Sequence, residues 1–75
     1  SAAGPAAIPD RLWDSVLTGL RSFANEDARL DALHICRVAG RLDRIGEALQ
    51  EAYRLEPSRL VATRIREVMI ELAHR

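Results

Sequence analysis

Seventy-five residues, 48% of them apolar, with eleven basic side chains balancing eleven acidic ones, describe one small domain near the lower size limit for an unassisted core. No apolar run approaches the ~20 residues of a membrane span, and the single Cys36 has no intrachain partner, which excludes a disulfide scaffold. Zero formal charge weighs against a bulk electrostatic nucleic-acid binder, which normally carries a basic excess.

All eleven basic residues are arginine. They are scattered, and beside twelve alanines and ten leucines they read as the composition of a GC-rich gene rather than as a patch. Three arginines stand against five acids over residues 1–32, and five against three over residues 54–75. That mild gradient is suited to orienting an antiparallel self-association.

Residues 1–9 hold two prolines, small side chains and no period, the composition of a linker joining a module to a larger protein. They lack the basic start and apolar centre of a secretory signal, so the chain is expected in the cytoplasm. A first helix is predicted over residues 10–24, started by Pro9 or Asp10. Its Leu12, Trp13, Val16, Leu17, Leu20 and Phe23 recur at helical spacing. Asn25-Glu26-Asp27 reads as a turn and an N-cap with acids at a helix N-terminus. The second helix, residues 27–39, is apolar around most of its circumference and belongs between other helices. Gly40 stops it.

A third helix is predicted over residues 42–55, with Leu42, Ile45, Leu49, Ala52 and Tyr53 on one stripe. Gly46 costs that helix ~1 kcal/mol relative to alanine, which suggests a close backbone approach. Pro57 disfavours helix at Glu56, and Ser58 can cap a fourth helix over residues 58–74. There Val61, Ile65, Val68, Met69 and Leu72 form a seam, while Leu60 and Ile70 lie off it. No segment alternates with period two, so the fold expected is an all-α bundle of four short helices.

Residues that could carry chemistry are few. His34 and Cys36 are two positions apart, about 200° round a helix, and cannot form a nucleophile–base pair alone. Cys36 is read as a small buried hydrophobe and His34 as an interhelix polar contact. One Cys and two distant His fall short of a zinc site, and no glycine loop cradles a phosphate. No catalytic, metal or cofactor residue is therefore assigned, and enzyme function is not expected.

Residues 39–57, from Ala39-Gly40-Arg41-Leu42 through Ile45, Leu49 and Ala52 to Pro57, resemble the second helix of a tetratricopeptide repeat. That family sets Gly at the turn between helices, a small residue where Ala52 stands and Pro at the end. Arg29, Leu33 and Ile45 depart from its pattern. The resemblance covers half a repeat and implies a helical-hairpin interaction module. Residues 38–49 are also similar to the death-motif helix of pro-apoptotic regulators, with Glu47 where that motif has Asp and Gly40 interrupting the helix.

Four short helices leave more apolar surface than one small bundle hides, and a second polypeptide is the natural cover. The expected function is therefore protein–protein interaction, as a docking or dimerisation domain of a larger protein or multienzyme. Leu60, Met69 and Ile70 are the expected partner contacts, and Arg64 and Arg66 the flanking charges that set orientation. The alternative is a small helix-turn-helix-like DNA-binding regulator using the third or fourth helix, against which neutrality and the absence of lysine weigh.

Overall fold

The computed structural model describes residues 9–75, so of the linker expected over residues 1–9 only Pro9 lies within them. Four helices follow in chain order: α1 (Asp10–Leu20), α2 (Glu26–Ala39), α3 (Leu42–Leu55) and α4 (Arg59–Ala73). There is no strand among the described residues. The protein is an all-α bundle.

Local chemistry sets the helix ends. Asn25 caps α2 by accepting the Ala28 N–H at 3.0 Å, with Glu26 and Asp27 against the positive end of the helix dipole. Ser58 caps α4 by accepting the Val61 N–H at 3.3 Å. The first helix stops at Leu20, four residues before the predicted end. Beyond it the Arg21 and Ser22 amides donate to Thr18 and Gly19, three residues back, in tight turns. The Ser22 carbonyl accepts from the Asn25 N–H, three residues on, at 2.9 Å, and the carbonyls of Ser22 and Phe23 both accept from Nη1 of Arg29, at 2.9 and 2.8 Å. Phe23 thereby leaves the apolar stripe and is exposed, as is Leu12 at the stripe's edge.

Helix α2 packs between α1 and α4, and α3 packs on α4. The centre is built from Leu33 and Cys36 of α2, Leu49 of α3, and Val61 and Ile65 of α4. Each large aliphatic fully buried there contributes about 1.5–3 kcal/mol. Trp13, Val16 and Leu17 close the core from α1 while staying partly exposed. The α4 seam is as predicted, with Val61, Ile65, Val68 and Leu72 buried and Met69 half-buried. The α3 stripe is narrower. Ile45, Leu49 and Ala52 are buried, whereas Leu42 and Tyr53 are exposed, because α4 is the one neighbour against which α3 packs extensively. Ile35 and Val38 show that α2, although central, keeps part of its apolar surface in water.

Helices α2 and α3 are separate, joined by Gly40 and Arg41. Gly40 ends α2 for a reason other than the left-handed turn common at such positions: its φ is −80° and its ψ 161°. It is buried, and a Cβ there would lie 2.4 Å from the Cys36 carbonyl oxygen and 2.5 Å from Cδ1 of Ile45. The requirement is for space. The same break divides residues 38–49 between two helices, and Ile45 and Leu49 point into the core. The apolar positions of that stretch therefore do not share one free helix face.

Candidate interaction site

The two flanks of α4 form two grooves of different character. Toward α2, a hollow of about 360 Å³ is lined by Leu30, His34, Arg37, Leu60, Arg64 and Glu71, among others. Its charges are already spoken for: Arg37 lies 3.8 Å from Glu71, and Arg64 lies 3.9 Å from Glu67. Exposed pairs of this kind are worth about 0–1 kcal/mol each, but they leave the rim without free charge. His34 is exposed on this groove and makes no side-chain hydrogen bond among the described residues, so it is not the interhelix contact expected.

Toward α3, a groove of about 570 Å³ is walled by Leu42 and Tyr53 on one side and by Met69 and Ile70 on the other. Leu42, Tyr53 and Ile70 are exposed, which is unusual for three large apolar side chains converging on one hollow. Gly46 lies between the walls and adds no side chain. Glu47 on α3 and Arg66 on α4 line the same groove. Neither belongs to an ion pair among the described residues.

The five residues expected to meet a partner are therefore divided. Met69, Ile70 and Arg66 come together on the α3 side of α4, whereas Leu60 and Arg64 lie on the α2 side. Leu42, Gly46, Glu47 and Tyr53 complete the first group. By spacing alone Leu42 and Tyr53 fall on the apolar stripe of α3, and only the pairing of α3 with α4 reveals them as groove walls.

A buried polar cluster was not anticipated at all. Arg29 is 3% exposed and the Glu56 carboxylate 0%, and they form a two-pronged pair: Nη2 to Oε1 at 2.8 Å and Nε to Oε2 at 3.0 Å. Glu56 Oε1 also accepts the Ser58 N–H at 3.1 Å. The Ser58 hydroxyl donates to Glu26 at 2.7 Å while capping α4. With the Ser22 and Phe23 carbonyls, this cluster ties the α1–α2 turn, α2 and the α3–α4 turn at one end of the bundle. No buried side-chain nitrogen or oxygen among the described residues lacks a partner. The Arg29–Glu56 and Ser58–Glu26 bonds fix α2 against the α3–α4 turn.

Cys36 is fully buried, and burial pushes its thiol up from 9.0 to about 11, offset in part by a hydrogen bond with its own backbone. Thiol reagents attack the thiolate. The native protein is therefore expected to label at least about a hundredfold more slowly at mildly alkaline pH than the urea-unfolded chain, measured by absorbance of the released chromophore. Rapid native labelling would contradict this burial. The folded value lies above the unfolded one, so the linked stability is complete below about pH 9.0 and is lost as pH rises toward about 11.

Among the described residues, no three His, Cys, Asp or Glu side chains gather as metal ligands, and no helix is long and apolar enough to cross a membrane. No protein-family model matches the chain, and no curated protein or solved structure was found similar to it.

Proposed function

We propose that the chain is a non-enzymatic helical docking module that binds another polypeptide through the α3/α4 groove. The observation carrying this reading is that groove itself: about 570 Å³, open, walled by Leu42, Tyr53, Met69 and Ile70, with unpaired charge along it. Aromatic and Met side chains around a hollow, with charge beside them, are the usual anatomy of a protein-binding face.

Gly46 supports the same reading. In a helix interior glycine costs about 0.5–1 kcal/mol relative to alanine. A Cβ at Gly46 would meet only Leu42 side-chain atoms, at 3.4 and 3.5 Å, which is ordinary contact. Nothing approaches that backbone closely, contrary to the expectation from sequence. Packing within the chain does not demand glycine there, whereas an open groove benefits from it. The segment resembling half a tetratricopeptide repeat, residues 39–57, contains this wall. The free buried thiol of Cys36 suits a reducing compartment, so the proposed place of action is the cytoplasm.

The test is a photocrosslinking amino acid placed at Ile70 and, in a second variant, at Ser15, which is exposed on α1 away from the groove. Irradiation in the producing cells should give a discrete polypeptide adduct at position 70 and none at 15. No adduct at 70, or equal adducts at both positions, would defeat the proposal.

A further inference from the structure

We infer that the occupant of the α3/α4 groove is the same groove of a second copy of this chain, the two hairpins stacking face to face. This rests on the docking reading above and names its partner. Three observations select a copy over a foreign helix.

The first is charge. A groove built for a strongly acidic or basic segment would carry one sign along its rim. Here each wall offers one unpaired charge of opposite sign, Glu47 on α3 and Arg66 on α4. The second is register. The hairpin turns at Pro57, and Glu47 lies ten residues before it and Arg66 nine residues after it. At 1.5 Å per residue the two charges sit at nearly the same height along the antiparallel pair. A two-fold axis running along the hairpin lays α3 of one copy over α4 of the other at unchanged height. Glu47 then faces Arg66 of the second copy, twice by symmetry.

The third is shape. Gly46 lies eleven residues before Pro57, and Met69 and Ile70 lie twelve and thirteen after it. The same operation brings the exposed Ile70 toward the hollow left by Gly46 on the opposing copy, a knob toward a hole. The size of the face sets the strength. Helix α3 has 14 residues, about 21 Å, and two helices side by side span ~20 Å. The footprint is then about 400 Å² per copy, or about 800 Å² in total, below the ~1,200 Å² at which stable specific interfaces begin, so the pair is transient and micromolar or weaker.

Sedimentation equilibrium of the full chain over about a hundredfold concentration range tests this. Wild type should self-associate to a dimer. Glu47→Arg alone and Arg66→Glu alone, both at exposed positions, should each weaken the dimer about tenfold or more by setting like charges face to face. An equimolar mixture of the two variants should recover association, because one chain then presents only arginines and the other only glutamates. The double variant E47R/R66E should dimerise on its own. A wild type that stays monomeric, charge reversals without effect, or a mixture that does not recover would each overturn the inference. A monomeric wild type that still gives a foreign polypeptide adduct at position 70 removes the second copy and leaves the docking reading standing. A monomer without any adduct removes both.

Discussion

Replacing Arg29 by Met is expected to destabilise the fold by about 3–5 kcal/mol, read from urea unfolding followed by far-ultraviolet circular dichroism. Nearly all of that is the cost of what remains behind. Glu56 has a fully shielded carboxylate, and its Oε1 and Oε2 would both lose the guanidinium. The Phe23 carbonyl would lose its donor as well, and the Ser22 carbonyl would keep only the Asn25 N–H. A chain of this size has about 4–11 kcal/mol in total, so the variant approaches the unfolding threshold. The double variant Arg29→Met/Glu56→Leu should recover part of the loss, since a matched apolar pair leaves no stranded charge. Recovery stays incomplete, because the Phe23 carbonyl and the Ser58 amide still lack their native partners and the Ser22 carbonyl keeps only the Asn25 N–H. Equal losses in R29M and the double variant would mean that the stranded Glu56 carboxylate costs nothing, contrary to this account.

That cluster also marks how far the sequence could be read. Helix existence and all four approximate positions follow from periodicity, because apolar residues at i, i+3 and i+4 need no knowledge of the partner helix. The Ser58 cap and the break at Pro57 are local and equally legible. The early end of α1 is not, since it depends on Arg29 reaching back to the carbonyls of Ser22 and Phe23, seven and six residues earlier. Nor is the Arg29–Glu56 pair, whose members are 27 residues apart and each look like ordinary surface charges. The groove was half legible. Ile70 stands off the α4 seam in the sequence itself, and Met69 and Arg66 flank it. Leu60 shares that property yet lies on the other flank, because helical angle alone cannot say which neighbour packs on which side. Leu42 and Tyr53 fall on the periodic stripe of α3, and their exposure follows from α3 packing extensively on one helix only.

Ile65→Ala should lower stability by about 2–5 kcal/mol, whereas Ile70→Gln, five residues on in the same helix, should lower it by about 1 kcal/mol or less. The side chains are identical and the environments are not. Ile65 is 0% exposed at the centre of the bundle, where truncation leaves a cavity among close-packed neighbours. Ile70 is 49% exposed on the open groove and loses little that the isolated chain had hidden. In a domain of this size 1 kcal/mol shifts the melting temperature by about 4–8 °C, so thermal scans separate the two variants easily. Partner binding should invert the order: I70Q removes an apolar anchor and weakens association, while the I65A protein that remains folded retains the groove face. A residue whose loss spares the fold but abolishes association serves the interface. If I70Q proves as destabilising as I65A, the α3/α4 face belongs to the core, and the docking surface must be sought elsewhere on the molecule.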